Sequence, residues 1–270
     1  MDRIFTYTVA ATLAVAAVLQ VAFGNPDIRM FAFPVNAAIL LALVGGLFVL
    51  NREAGKSRFA AAFASGYAGA AVVVLAAVCC IPVALWPRAE FQRSWIFGAV
   101  LLLTLAVLFL AMLRYRGAMR LRFLLNHAGL FIFVAALAFG APDMQRLRAA
   151  VDTGGSTDVA YDDRGLPHSL GYTLAVESFE ADFYDNGQPS GFRAVVTADG
   201  KSRTLRVNHP WRKSWRQDIY LAGYDTAAGS DSQYCILEFV VQPWKYAALA
   251  GLLLFLAGAV AMIRGGRQRV

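Results

Sequence analysis

The chain has 270 residues, of which 58% are hydrophobic and 16% are charged, and its mean hydropathy is +0.51. Soluble domains are about 45–50% apolar and about 25% charged, so the composition argues against a soluble protein. The formal net charge of +7 does not indicate nucleic-acid binding, because the basic residues flank apolar segments and no stacking platform accompanies them. We interpret the chain as an integral membrane protein.

Six apolar segments are each long enough to cross about 30 Å of hydrocarbon, which takes about 20 helical residues. In chain order they are residues 4–24, 31–50, 67–87, 95–113, 123–141 and 244–263. The first is expected to be an uncleaved helix, since it exceeds the apolar core of a signal peptide. Pro82 interrupts the third, where neighbouring helices must satisfy the carbonyl that it frees.

Basic residues in the short loops predict the orientation of these segments, since Lys and Arg accumulate on the cytoplasmic side. One side carries eleven, namely Arg3, Arg52, Lys56, Arg58, Arg114, Arg116, Arg120, Arg122, Arg264, Arg267 and Arg269. The other side carries Arg29, Arg88 and Arg93. We therefore expect both termini to be cytoplasmic and residues 142–243 to be extracytoplasmic.

The predicted fold class is an α-helical integral membrane protein with a small antiparallel β domain between its last two helices. Residues 1–122 hold four transmembrane helices and residues 123–141 form the fifth. Residues 142–243 form the extracytoplasmic domain, and residues 244–270 form the last helix with a basic cytoplasmic tail.

Alternating apolar and polar residues predict the β domain from Gly171 onward. "YTLAVESFEADFY", "DIYLAGY" and "YCILEFVVQP" are candidate strands, and "FRAVVTADGKSRTLRV" has two strand-like arms around Asp199-Gly200, a hairpin signal. About five short strands indicate a small antiparallel sheet or sandwich. The preceding polar segment "PDMQRLRAAVDTGGSTDVAYDDRG" is interpreted as a connector whose first turn could be helical.

The cysteines exclude two classes of protein. Cys79 and Cys80 are adjacent inside an apolar segment, and Cys235 has no partner in the extracytoplasmic domain. No disulfide framework or CxxC motif is present, so the chain is neither a thiol oxidoreductase nor a c-type cytochrome. We find no catalytic constellation in the sequence.

His127 is the residue in the apolar segments that titrates near neutral pH. It lies five residues into its segment, on the order of 6 Å below the cytoplasmic edge. Ionisable side chains at that depth usually face a protein interior, a pathway or a cofactor. Two interpretations stay open, a metal ligand and an interhelical hydrogen bond. One histidine cannot supply the paired ligands of a self-contained diheme cytochrome b.

The polar domain contains the other two histidines and a basic aromatic cluster. His168 and His209 have no ligand-spaced neighbours, so they are more simply surface or turn residues. In "HPWRKSWRQ", the residues His209, Trp211, Arg212 and Trp215 are candidate contacts for a partner or for haem. Contact with lipid headgroups is the simpler explanation of this cluster.

Several segments follow one another in a specific order: "NHAGLFIFVAALAFGAPD", "GLPHSLGYTLAVESFEADFY", "RVNHPWRKSWRQDIYLAGYD", "CILEFVVQPW" and a terminal helix. This order resembles the ResB family, also called CcsB, of system II cytochrome c biogenesis. The resemblance covers about residues 120–263. Gln242-Pro243 stands where the family frequently has Asp-Pro, and the N-terminal segments are additional.

The resemblance implies a subunit that works with a ResC or CcsA partner in the bacterial cytoplasmic membrane. Together they would deliver a transient haem b and attach it to CxxCH apocytochromes c. His127 matches the family's axial haem ligand, so the metal contact would be to haem iron only. The family's partner has a tryptophan-rich WWD segment, whereas the five tryptophans here are scattered. The chain would therefore not be catalytic alone.

Two alternatives to this function remain. The protein could be a haem-independent assembly scaffold that presents the apocytochrome, with His127 only bridging helices. More weakly, it could be the membrane anchor of a redox complex.

Overall fold

The structure is a computed structural model that describes residues 2–53, 58–117, 119–186 and 188–266. Lys56, Arg267 and Arg269 of the predicted basic loops lie outside the described residues. The chain divides into two compact units, a helical unit (Met1–Pro142 and Trp244–Val270) and a sheet unit (Asp143–Pro243).

Six helices of the helical unit are long and apolar enough to cross a membrane. They are α1 (Asp2–Phe23), α2 (Val35–Glu53), α4 (Gly66–Leu85), α5 (Trp95–Arg114), α6 (Arg120–Gly140) and α7 (Lys245–Gly266), and a short helix α3 (Arg58–Phe63) precedes α4. The prediction of six long apolar helices is thus confirmed. Many of their large apolar side chains are exposed, for example Val21 and Leu41.

Ser65 explains why the apolar stretch that starts at Phe59 forms two helices. Its hydroxyl accepts a hydrogen bond from the Ala68 amide at 3.1 Å, which caps the start of α4. Pro82 lies within the last turn of α4, and its carbonyl accepts from the Trp86 amide where the helix ends. Pro82 is thus part of α4, which continues to Leu85.

Helices α6 and α7 pack closely and antiparallel through glycines. A Cβ atom on Gly129 would lie 2.2 Å from the Phe255 nitrogen, and one on Gly258 would lie 2.5 Å from the Asn126 nitrogen. Gly140, at the far end of α6, faces Trp244. Only glycine allows backbones to approach this closely, so these residues determine the short distance between α6 and α7.

The sheet unit is one eight-stranded antiparallel sheet in the order β5-β4-β3-β2-β1-β8-β7-β6. The strands are β1 (Gln145–Asp152), β2 (Ser156–Tyr161), β3 (Pro167–Phe183), β4 (Pro189–Ala198), β5 (Lys201–Arg206), β6 (Trp211–Arg212), β7 (Gln217–Tyr224) and β8 (Tyr234–Val241). Leu205 of β5 and Ile219 of β7 share one buried cluster with Leu237 of β8, so the sheet curls around a single core.

The prediction of an antiparallel sheet, one of the two alternatives, is confirmed, and the sandwich alternative is not found among the described residues. Two details were wrong: the supposed connector forms β1 and β2, and the sheet has eight strands instead of about five. In β1 the buried residues Leu147, Ala149 and Val151 alternate with exposed ones, among them Arg146 and Arg148. Since small and charged residues dilute this alternation, the strand is inconspicuous in the sequence. The helical part of the connector is a single 3-10 turn at Ala141–Asp143.

The predicted hairpin at Asp199-Gly200 is confirmed. Ala198 of β4 pairs with Lys201 of β5, and the two residues between them have φ angles of 50° and 70°. A two-residue turn with both φ angles positive matches the twist of the flanking strands.

Candidate functional site

His127 lies in the second turn of α6 with its ring half-buried. Its Nδ1 is 3.0 Å from the carbonyl oxygen of Phe123, four residues earlier in the same helix. Because a carbonyl can only accept, Nδ1 carries the proton and Nε2 of the neutral ring keeps its lone pair. Within the described chain, Nε2 has no hydrogen-bond partner. This is the arrangement of a metal-ligating histidine, whose other nitrogen is held by a carbonyl.

An aromatic stack supports the His127 ring. The rings of His127 and Phe123 are 3.7 Å apart between centroids at 19°, and Phe123 stacks on Tyr115 at 3.9 Å and 4°. Tyr115 directly follows α5, and one turn beyond His127 the ring of Phe131 contacts Phe109 of α5. His127 therefore lies on the α6 stripe that faces α5.

Asn126, the residue before His127, contacts helix α7 instead of α5. Asn126 donates from Nδ2 to the Phe255 carbonyl of α7 at 3.4 Å and lies against Gly258. Successive helical residues point about 100° apart, so one turn of α6 presents Asn126 to α7 and His127 to α5. In this turn Asn126 makes the hydrogen bond to the neighbouring helix, whereas His127 bonds to its own helix.

The orientation of the His127 ring suits coordination of a metal ion through Nε2. The half-buried imidazole is oriented by the Phe123 carbonyl and keeps one nitrogen available. The other histidines of the chain, His168 and His209, belong to the sheet unit. Among the described residues no group of three His, Cys, Asp or Glu could hold a metal ion. His127 is therefore the histidine that the helical unit offers as a ligand.

His168 lies at the start of β3, where it pairs with Ala160 of β2, rather than in a ligand cluster. Its Nε2 is 3.4 Å from a carboxylate oxygen of Asp162, whose side chain is 2% exposed. That carboxylate also accepts hydrogen bonds from the amides of Arg164 and Leu166 at 2.9 and 3.0 Å. The Asp162 carboxylate thus closes the β2–β3 turn, and His168 packs beside it.

The structure does not bring the four predicted contact residues of the sheet unit into one site. Trp211 packs against the core, and Arg212 lies 3.9 Å from Asp218. His209 is exposed, and its Nδ1 is 3.0 Å from the Val207 carbonyl.

Trp215 is the exposed aromatic member of the predicted cluster. Its side chain is 56% exposed, and the guanidinium group of Arg216 lies 4.3 Å from the ring centroid. This pair offers an exposed aromatic and basic surface on the turn between β6 and β7.

Sequence reasoning missed a polar cluster around Tyr172. The Tyr172 hydroxyl donates to Gln217 at 3.0 Å, and the Lys213 ammonium lies 4.5 Å from the Tyr172 ring centroid while pairing with Asp199. Burial, with a smaller effect of the Asp199 charge, raises the pKa of Tyr172 above its usual range. The cluster joins β3 to β7, so spacing along the sequence gave no signal for it.

The described cysteines are free, as predicted. Cys235 is fully buried in the sheet core, and burial raises the pKa of its thiol to about 11. A neutral buried thiol is a poor nucleophile, so Cys235 is a packing residue.

The comparison with protein families confirms the resemblance over part of the chain. Residues 116–241 match a family model described as the ResB-like family. The match includes α6 with His127 and the strands of the sheet unit, whereas α1 to α5 and α7 lie outside it. No curated protein matches the chain.

Proposed function

We propose that the protein is a membrane subunit of a system II complex that delivers haem and attaches it to apocytochromes c, because residues 116–241 match the ResB-like family, which is involved in cytochrome c biogenesis. Its own contribution is one axial ligand for a transient haem b and an extracytoplasmic scaffold, the sheet unit. The free Nε2 of His127 is the observation that supports the ligand role.

The proposed location is the bacterial cytoplasmic membrane. Six long apolar helices with exposed apolar side chains suit a lipid surrounding. Arg114 and Arg120 flank the α5–α6 connection, and Arg264 lies in the last turns of α7. By the positive-inside rule this side is cytoplasmic, so the sheet unit is extracytoplasmic.

His127 would act as a fixed ligand. The Phe123 carbonyl holds Nδ1–H, which orients the ring and makes Nε2 more basic. Stacking on Phe123 restricts the rotation of the ring, so little conformational entropy is lost when iron binds. Haem itself supplies the vinyl groups that react with cysteine thiols, and the chain supplies binding and orientation.

A partner protein completes the proposed site. The sequence has no WWD segment, and the helical unit provides one histidine. A ResC or CcsA-like protein would therefore supply the second axial ligand and the surface on which the CxxCH apocytochrome meets haem.

The test is the haem content of the complex purified with its membrane partner. We expect His127→Ala to remove most of the bound haem, measured by the pyridine haemochrome spectrum, and added imidazole to restore part of it. His209→Ala is the matched control, because His209 is exposed in the sheet unit, and it should keep wild-type haem. Wild-type haem content in His127→Ala would refute the ligand role.

The exposed Trp215–Arg216 pair favours a second candidate function, a haem-independent scaffold that presents the apocytochrome. A scaffold would cross-link to a CxxCH peptide through a photoreactive group at Trp215. It would also keep full cytochrome c maturation in His127→Ala. Loss of maturation in that variant would instead support haem ligation.

A further inference from the structure

An open groove of about 520 Å³ lies beside the α6–α7 pair, at the end where α6 begins and α7 finishes. Its lining consists of Arg122 from α6 and of Leu256, Ala257, Val260, Ala261 and Arg264 from α7. The groove thus combines an apolar wall with two guanidinium groups.

The packing of the two helices explains the shape of the groove. Gly258 brings α7 against Asn126 of α6, and the adjoining positions Ala257 and Ala261 have short side chains. Large side chains at these two positions would fill the space beside the helix contact. The close approach and the alanines therefore leave a depression between Arg122 and α7.

The two arginines of the groove lack acidic partners within the described part of the chain. Neither Arg122 nor Arg264 forms an ion pair there, and the Arg122 guanidinium donates to the Met119 sulfur at 3.7 Å. A thioether is a weak acceptor, so it does not satisfy a guanidinium group. An anionic group with several oxygens would satisfy both arginines, as phosphate does.

The apolar wall extends from these charges along α7. Arg264 follows Leu256 by eight positions, which corresponds to about 12 Å along a helix. Leu256 and Val260 are 48% and 47% exposed. A ligand of matching chemistry has a phosphate at one end and a hydrocarbon chain behind it.

We propose that this groove binds an anionic phospholipid, with its phosphate between Arg122 and Arg264 and an acyl chain along Leu256, Ala257 and Val260. The proposal rests on the location of the helices in a bilayer and is independent of haem binding. The groove does not include His127, which lies on the stripe of α6 that faces α5.

The experiment is native mass spectrometry of the full-length protein in detergent, supplied with phosphatidylglycerol or with phosphatidylcholine. We expect the wild type to retain phosphatidylglycerol preferentially. The double variant Arg122→Gln/Arg264→Gln should bind it about tenfold more weakly or worse, since each arginine near an anionic headgroup contributes to affinity. Ala257→Phe should have a similar effect, because it fills the groove while both charges remain.

Arg120→Gln is the matched control, since it removes one charge at the same end of α6 outside the groove lining. It should retain phosphatidylglycerol like the wild type. The proposal would be overturned if Arg120→Gln lost as much phosphatidylglycerol as the groove variants, or if the groove variants retained as much as the wild type. It would also be overturned if the wild type did not prefer phosphatidylglycerol to phosphatidylcholine. Haem is measured in parallel on the complex purified with its membrane partner. His127→Ala should lose haem and keep lipid, which separates this site from the haem proposal.

Discussion

The surroundings of His127 and Cys235 determine what each side chain can do. At His127, one hydrogen bond to the Phe123 carbonyl fixes the proton on Nδ1 and leaves Nε2 available. At Cys235, the apolar core of the sheet unit opposes ionisation of the thiol. Both residues were visible in the sequence. The hydrogen bond of His127 is local to its helix, whereas the burial of Cys235 depends on strands that only the fold brings together.

The raised pKa of Cys235 predicts slow thiol chemistry. With a folded pKa of about 11, the thiolate is on the order of a thousandth of the population at pH 8. In a Cys79→Ser/Cys80→Ser background, we expect maleimide to modify Cys235 slowly in the native protein and rapidly after denaturation. Equal rates in the two states, followed by mass spectrometry, would contradict the burial of this residue.

The same pKa fixes the direction of a pH effect. A thiol whose pKa rises from 9.0 when unfolded to about 11 when folded adds stability below pH 9, and this contribution is lost between pH 9 and pH 11. The free energy of unfolding of the sheet unit should therefore fall across this interval. In the Cys235→Ala variant, the free energy of unfolding should fall less steeply over the same pH interval. Denaturant titration at each pH measures it.

Asp162 gives a second residue-scale prediction. Replacement by Ala leaves the amides of Arg164 and Leu166 without their carboxylate acceptor, which should cost about 1–3 kcal/mol of stability. Asp163→Ala is the matched control, because the adjacent side chain is exposed. Chemical denaturation followed by tryptophan fluorescence measures both variants. Equal midpoints for the two would show that the Asp162 contacts contribute little.

Among the elements, the α6–α7 pair depends on its glycines. Gly129→Ala places a Cβ atom 2.2 Å from the Phe255 nitrogen, so the helices must separate. We expect a clearly lower apparent Tm in detergent. Gly45→Ala in α2 serves as the control, because a Cβ atom there meets nothing within 4 Å. A Tm for Gly129→Ala as high as that of the control would be inconsistent with the close helix contact.

The elements also differ in how well they could be predicted from the sequence. The six long helices were recognisable because each is a continuous apolar block, and the β4–β5 hairpin because Asp199-Gly200 marks its turn. The strand β1 was missed because its inward residues Ala149 and Val151 are small and its neighbours are charged. The Tyr172 cluster was also missed, for a different reason. Gln217 and Lys213 come close to Tyr172 only when the sheet curls.

For the whole molecule, the main prediction concerns the side of the membrane on which each unit lies. Ser202→Cys on β5 and Met119→Cys before α6 are exposed positions for labelling in a cysteine-free background. We expect a membrane-impermeant maleimide to label Cys at position 202 in intact spheroplasts. Position 119 should react only after permeabilisation. The reverse pattern would place the sheet unit in the cytoplasm and contradict the charge-based orientation.

The register of β1 and β8 has a consequence for the evolution of such proteins. Gln145 pairs directly with Val241, so the polypeptide enters and leaves the sheet unit at neighbouring points. A module whose two ends meet can be enlarged, trimmed or exchanged without altering the spacing of the helices that bracket it. Residues Gln145–Val241 can therefore change in length without disturbing the glycine contact between α6 and α7.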